Sequence, residues 1–180
     1  SVSADSLAVD WLPARYFEDY AMPGRRMNVD KGWEIYPQAL YDIALNIRDN
    51  YNNIPWFVSE NGMGVSREER YLNTEGMIED DYRIQFIQEH LYWLAKGMEQ
   101  GSNCFGYHLW TPIDCWSWTN AYRNRYGFIS TNIHTQVKTI KKSGFWFRGV
   151  AETDQLEVPD ALVKKLGEPS LDIMSMHVVS

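Results

Sequence analysis

Two short segments rich in apolar residues, 54–59 and 104–110, constrain this chain most, because one amphipathic segment separates them. Each is too short for a buried helix and is bounded by turn-forming or polar residues, which is typical of buried strands. The intervening segment opens with Asp80-Asp81, closes at Gly101 and places its apolar residues at helical spacing. A strand–helix–strand order predicts parallel strands joined by a right-handed crossover.

Further helices are predicted on both sides of this unit. Pro37 is preset for a first helical turn, and apolar residues then recur at helical spacing up to Asn50. Residues 140–150 show the same spacing, so the order is helix–strand–helix–strand–helix, an α/β pattern. Two strands do not make a stable parallel sheet, and a complete (β/α)8 barrel takes about 250 residues. The 180-residue chain is therefore expected to be a piece of a larger α/β structure.

Composition excludes several classes of function. The net charge of −7 argues against nucleic-acid binding, and the short basic cluster at 138–142 is expected to be a solvated helix face. The two cysteines, Cys104 and Cys115, are too few for a disulfide framework and lack metal-ligand spacing. We therefore expect reduced thiols, no metal and no cofactor. Without a targeting signal or a membrane-spanning run, the chain is expected to be cytoplasmic and to have no membrane partner.

Glu60 is the first candidate for chemistry. It ends the first apolar segment and is followed by the Gly-containing turn Asn61-Gly62. The C-terminal ends of parallel strands are where α/β barrels place ligand chemistry, and a fixed carboxylate there can stabilise a sugar-like cationic transition state. A strand-end glutamate that merely pairs with an arginine or lysine is an equal alternative from this residue alone.

Four motifs in a fixed order identify a resemblance to family 1 glycoside hydrolases, over about residues 28–148. The motifs are Gly32-Trp33-Glu34-Ile35-Tyr36-Pro37, Ser59-Glu60-Asn61-Gly62, Trp110-Thr111-Pro112-Ile113-Asp114-Cys115-Trp116-Ser117-Trp118 running into Arg125-Tyr126-Gly127-Phe128, and Lys142-Ser143-Gly144-Phe145-Trp146-Phe147. The resemblance implies the C-terminal portion of a (β/α)8 barrel. It also implies a retaining mechanism in which Glu60 is the nucleophile.

The family's acid/base glutamate lies in an Asn-Glu-Pro motif upstream of the nucleophile, and the chain has no such motif. Its one Glu-Pro pair, Glu168-Pro169, lacks the preceding Asn, follows Glu60 and is interpreted as part of a loop. A retaining enzyme needs its second carboxyl group about 5 Å from the first. The chain alone is therefore expected to be inactive, and the function belongs to a parent enzyme.

The resemblance also implies the substrate-binding residues. Trp110 is similar to the aromatic floor beneath the reacting sugar, and Trp118 to a residue that binds a sugar hydroxyl group. Many family members have Glu-Trp at Ser117-Trp118. The phospho-specific branch has a Ser-x6-Lys-x-Tyr pattern, which Ser117 and Tyr126 match while Asn124 occupies the lysine position.

We therefore favour a 6-phospho-β-glucosidase, with Arg123 or Arg125 as the possible replacement for the missing charge. A plain β-glucosidase is the alternative within the family. A carbohydrate-binding or interaction domain without turnover is the alternative from another class of protein.

Residues 1–150 are expected to form the partial barrel and residues 151–180 a C-terminal tail. The tail is too rich in apolar residues for a disordered segment. We expect that the tail, or a second copy of the chain, covers surface that the rest of a barrel would bury. Exposed strand edges would favour such a homo-oligomer.

Overall fold

The computed structural model describes residues 23–166 and 177–179. The described strands are β1 Met27–Asn28, β2 Trp33–Glu34, β3 Trp56–Asn61, β4 Val65–Ser66, β5 Cys104–Leu109, β6 Asn124–Arg125, β7 Ile129–Thr131, β8 Lys138–Ile140 and β9 His177–Val179. The described helices are α1 Ala39–Asn50, α2 Asp81–Glu99, α3 Lys142–Thr153 and α4 Asp160–Leu166, with a 3-10 turn at Glu68–Tyr71.

The central sheet has the order β3-β5-β9 and is parallel throughout. The predicted strand–helix–strand unit is confirmed, since α2 connects β3 to β5. Strand β9 pairs with the edge of β5 that faces away from β3, with Tyr107 opposite Val178. Each strand of a closed barrel has a neighbour on both sides, so β9 lies on an edge that a closed barrel would fill with another strand. The described strands do not themselves close a barrel.

Helices α1, α2 and α3 cover this sheet and form the core with it. Ile87, Leu91 and Leu94 of α2 are completely buried, which confirms the predicted apolar stripe of that helix. Helix α1 packs closely against α2 because Gly97 has no side chain. A β-carbon at Gly97 would lie only 2.5 Å from Cβ of Ala44.

The prediction for the basic cluster at 138–142 was wrong. Its first residues form β8, which pairs antiparallel with β7, and the helix begins only at Lys142. Lys141 is fully buried rather than solvated. Its ammonium group pairs with the carboxylates of Glu68 and Asp114, which compensate for the lost hydration.

Helix α3 runs to Thr153, three residues past the predicted domain boundary, and the chain after it stays in contact with the core. Leu156 belongs to the core cluster, and the Gln88 side chain donates a hydrogen bond to the Glu157 carbonyl oxygen at 2.8 Å. Leu162 of α4 is also buried. Glu168 lies outside the described residues. No helix in the described part of the chain is long and apolar enough to cross a membrane.

Candidate active-site cleft

A cleft of about 940 Å³ opens at the C-terminal ends of β3 and β5. Glu60 is the penultimate residue of β3, and Trp110 directly follows β5; both line the cleft. Because the two strands are parallel, their C-terminal ends meet at one edge of the sheet. The position predicted for ligand chemistry is therefore the position of the cleft.

Asn61 holds the strand ends that carry Glu60 and Trp110. Its backbone carbonyl oxygen accepts a hydrogen bond from the Trp110 N–H at 2.8 Å. Its side-chain oxygen accepts another from the Tyr107 hydroxyl group at 2.7 Å. Tyr107 is completely buried, and this burial raises the pKa of its hydroxyl group, so the hydroxyl stays a donor at neutral pH. Glu60 thus precedes a residue held by two hydrogen bonds, while its own side chain remains exposed at the cleft.

The two glycines after Asn61 allow close approach of neighbouring chain segments. A β-carbon at Gly62 would lie 1.8 Å from the Trp110 carbonyl oxygen, and one at Gly64 would lie 2.4 Å from the Tyr126 ring. These distances leave no room for a side chain at either position. The glycines are required by the packing of the loop after β3 against the residues that follow β5.

Aromatic rings form much of the cleft wall. Those that line it are Trp33, Tyr36, Phe86, Trp110, Trp116, Trp118 and Tyr126. Trp118 is 90% exposed, and its ring meets Trp116 edge to face at a centroid distance of 5.1 Å. Exposed flat apolar faces with a polar N–H edge are suited to stacking on sugar rings.

A tight turn presents Trp118. Ser117 and Ala121 exchange two backbone hydrogen bonds, of 2.9 and 2.8 Å, which place Trp118 and Thr119 near the tip of the turn. Ser117 lines the cleft together with both of these residues.

The hairpin of β1 and β2 also lines the cleft. The Asn28 side chain donates a hydrogen bond to the Gly64 carbonyl oxygen at 2.9 Å, and Asp30 accepts one from the Ser66 hydroxyl group at 2.6 Å. That second bond is the main reason why the pKa of Asp30 lies below its usual value. The turn between the strands carries Lys31, which lines the cleft. No sequence pattern singles out Lys31, and its adjacency to the Gly32-Trp33 motif is the one signal that points to it.

A buried cluster of charges lies beneath the loops that follow β3 and β5. Arg83, at 1% exposure, bonds Glu68 at 2.5 Å and Asp80 at 2.9 Å. Its guanidinium group also donates to the carbonyl oxygens of Met63, at 2.5 Å, and Tyr126, at 2.9 Å. Arg83 therefore ties both loops to α2. Asp80 was predicted only as a helix start, so sequence reasoning missed this cluster.

The structure brings five of the six predicted site residues together. Glu60, Trp110, Ser117, Trp118 and Tyr126 all line the cleft. Asn124 does not, because it is fully buried in β6. Its side-chain NH2 group lies 3.2 Å from the Asp30 carbonyl oxygen and 3.5 Å from that of Gly64.

Two carboxylates and one buried histidine, His90, also line the cleft. The carboxylates are Glu60 and Glu34, and Glu34 forms an ion pair with Arg25 at 2.5 Å. Burial lowers the pKa of His90 to about 4, so its imidazole is neutral at physiological pH. Among residues 23–166 and 177–179, no group of three or more metal-ligating side chains could hold a metal ion.

Comparisons with known proteins agree on one family. The sequence profile described as Glycosyl hydrolase family 1 matches residues 18–156. Over 143 residues, or 79% of the chain, the sequence is 58% identical to the 6-phospho-beta-glucosidase GmuD of Bacillus subtilis, and this match covers 31% of GmuD. It is 36% identical to a 6-phospho-beta-galactosidase of Staphylococcus aureus over 71% of the chain and 27% of that relative.

Among solved structures, a family 1 β-glucosidase from Thermotoga maritima in complex with isofagomine lactam superposes with a TM-score of 0.70 at 26% identity. The superposition covers 77% of this chain and 31% of that one. The predicted C-terminal portion of a (β/α)8 barrel is thus confirmed, and the chain spans about a third of the length of the relatives it matches. The match over most of its length, in sequence and in fold, shows that the chain belongs to glycosyl hydrolase family 1.

Proposed function

We propose that this chain carries the nucleophile of a retaining β-glycoside hydrolase that acts on 6-phospho-β-glucosides. The observation that carries the proposal is the position of Glu60 at the end of β3, exposed in a cleft whose wall includes Trp110 and Trp118. In a retaining mechanism the Glu60 carboxylate would attack the anomeric carbon while the glycosidic bond breaks and the leaving oxygen takes a proton from the acid/base group. Water, giving its proton to that same group, would then attack the anomeric carbon of the glycosyl-enzyme intermediate and release Glu60.

The aromatic rings support binding of the sugar itself. Trp110 is 39% exposed beside Glu60 and offers a ring face on which the reacting sugar would lie. Trp118 extends from the Ser117–Ala121 turn, where its indole N–H can donate to a sugar hydroxyl group. Holding the sugar against a fixed carboxylate supplies the orientation that the attack needs.

The second carboxyl group would come from outside these residues. Glu34 is the other carboxylate of the cleft, and it is already paired with the guanidinium group of Arg25. Without an acid/base residue, activity should fall by about 10²–10⁴-fold, and further without the missing barrel wall. We therefore expect the isolated chain to be inactive.

The phosphorylated substrate is supported by the relatives. GmuD is named a 6-phospho-beta-glucosidase and the Staphylococcus aureus relatives 6-phospho-beta-galactosidases. The identity of 58% to the former against 36% to the latter favours a glucoside over a galactoside. Ser117 also places a neutral hydroxyl group in the cleft, which does not repel a phosphate group as a carboxylate would.

Covalent trapping tests the proposal directly. The full-length gene product would be incubated with a 2-deoxy-2-fluoro-β-glucosyl 6-phosphate donor and digested, and the labelled peptide would be identified by mass spectrometry. The label is expected on Glu60 and should be absent from the Glu60→Gln variant. Glu34→Gln is the matched control, because it neutralises the other carboxylate of the cleft and should still be labelled. A label on another residue, or labelling of the Glu60→Gln variant, would refute the assignment.

A plain β-glucosidase is the second candidate, because Asn124 carries no charge and the Thermotoga maritima neighbour is named a β-glucosidase. Turnover of p-nitrophenyl β-glucoside with and without the 6-phosphate separates the two candidates. Faster turnover of the unphosphorylated substrate would favour the plain β-glucosidase. Binding of either sugar without turnover or labelling would favour a non-catalytic binding domain.

A further inference from the structure

We infer that Lys31 supplies the positive charge that binds the 6-phosphate group of the substrate. This inference rests on the proposed function and deepens it, because it assigns the phosphate contact to a residue of the β1–β2 turn.

Lys31 lies at the part of the cleft where Ser117 and Trp118 are presented. Its ammonium nitrogen is 3.1 Å from the hydroxyl oxygen of Thr119, to which it donates a hydrogen bond. It also lies 4.8 Å from the centre of the Trp33 ring. One of its three N–H donors is thus used by Thr119, and Lys31 is part of the cleft lining.

The charge of Lys31 is not neutralised by a carboxylate within the described residues. Its neighbour Asp30 is directed away, bonding the Ser66 hydroxyl group at 2.6 Å and lying 3.4 Å from a guanidinium nitrogen of Arg70. Lys31 is also the only lysine or arginine in the described lining of the cleft. A half-buried cation without a counter-ion in a sugar-binding cleft is suited to an anionic group on the sugar.

Two other basic residues, Arg123 and Arg125, are close in sequence to position 124, but neither lines the cleft. Arg125 donates to the Thr131 carbonyl oxygen at 3.3 Å and lies 3.8 Å from Asp114, so its charge is directed to the buried cluster. Arg123 is exposed and does not line the cleft. Neither is in place to replace the lysine that the phospho-specific pattern has at position 124.

Asn124 contributes to this arrangement indirectly. Its side-chain NH2 group donates to the carbonyl oxygen of Asp30 at 3.2 Å, directly before Lys31 in the chain. The turn is further fixed by the bond from the Gly32 N–H to the Asn28 carbonyl oxygen at 2.7 Å. Asn124 is therefore a positioning residue for the turn that carries Lys31, and the charge enters the cleft from Lys31 itself.

The test compares two substrates, p-nitrophenyl β-glucoside and its 6-phosphate, with variants of the full-length gene product. For Lys31→Gln we expect kcat/KM on the phosphorylated substrate to fall by about 10- to 100-fold more than on the unphosphorylated one, mainly through KM. This split is expected because the phosphate is remote from the reacting bond and contributes equally to ground-state and transition-state binding. Lys31→Arg should restore most of the preference. Added salt should weaken the preference in the wild type and in Lys31→Arg, which keep the charge, but not in Lys31→Gln.

Arg123→Gln is the matched control, since it removes an exposed charge nearby without touching the cleft; it should keep the wild-type preference. If Lys31→Gln keeps the preference as well, or if Arg123→Gln loses it, the assignment of Lys31 is overturned while the proposed function stands. If the wild-type protein does not prefer the phosphorylated substrate, the proposed function itself fails, and the role of Lys31 fails with it.

Discussion

A β-carbon added to Gly62 would stand 1.8 Å from the carbonyl oxygen of Trp110, so the backbones of these two residues are in direct contact. This contact joins the loop that follows Glu60 to the residue that forms the aromatic wall of the cleft. The separation between the candidate nucleophile and the sugar-binding ring therefore depends on the absence of a side chain at position 62.

We predict that Gly62→Ala will destabilise the protein by about 1–3 kcal/mol, because the added β-carbon forces the Trp110 backbone to move. Activity should fall by about 100-fold in kcat/KM, since displacing a reacting group by about 1 Å has an effect of that size. Urea unfolding and steady-state kinetics measure the two effects.

Gly149→Ala is the control for Gly62→Ala. Gly149 lies on an exposed position of α3 with open space around it, so alanine should stabilise the helix by about 1 kcal/mol and leave kinetics unaltered. Equal effects of the two substitutions would contradict the contact argument.

The neighbouring lysines Lys141 and Lys142 should differ strongly in how much stability the same substitution removes. Lys141 is fully buried between the carboxylates of Glu68 and Asp114, so Lys141→Met removes a buried cation that both carboxylates share and leaves them with only Arg83 and Arg125 as cationic partners among the described residues. A loss of about 3–5 kcal/mol in the free energy of unfolding is expected. Lys142 pairs with Asp81 at the surface, and Lys142→Met should cost less than about 1 kcal/mol. Chemical denaturation of both variants checks this difference, and similar losses would contradict it.

The sequence predicted the features that depend on local pattern. The spacing of apolar residues located α2 and β5 to within about one residue, because helices and strands bury side chains at different intervals along the sequence. Strand β3 begins at Trp56 rather than at Ile54, since Pro55 has no N–H for a ladder and the Trp56 N–H donates to Asn103.

The features that the sequence did not predict depend on contacts between distant segments. Lys141 is buried because Glu68 reaches it from 73 residues away, and Lys31 meets Thr119 across 88 residues. No local pattern distinguishes such a lysine from a solvated one. The position of Glu60 was predictable because a strand end is a local feature. The hydrogen bond from the Asn124 side chain to the Asp30 carbonyl oxygen was not, because it joins distant segments.

His90 should make the protein sensitive to mild acid. Burial lowers its pKa to about 4 from 6.5, while its Nδ1 lies 2.7 Å from the Phe86 carbonyl oxygen. The unfolded chain therefore takes up a proton below pH 6.5 that the folded protein does not accept until about pH 4. The stability linked to His90 is complete above pH 6.5 and is lost as the pH falls toward 4, by about 2 kcal/mol at pH 4.5.

Urea unfolding at neutral pH and at about pH 4.5 measures this linkage. Between these conditions the wild type should lose about 2 kcal/mol more than His90→Gln, which has no titrating group at that position. The carboxylates titrate in both proteins, so their contribution cancels in the comparison. Equal losses in the two proteins would show that His90 is not the acid-sensitive group.

The pairing of β9 with β5 leads to the last prediction. Gly106, Tyr107 and His108 lie opposite 177–179, so removing residues 177–180 leaves this edge of β5 without its described partner. Unpaired edges of apolar strands invite pairing with another chain. The truncated chain should therefore exchange the amide hydrogens of β5 faster at low concentration and self-associate as its concentration rises. Hydrogen exchange and light scattering measure these effects. Replacement of Ser180 alone is the control, since it leaves β9 intact. Unchanged exchange in β5 after truncation would contradict the pairing, because those amides would then owe their protection to something other than β9.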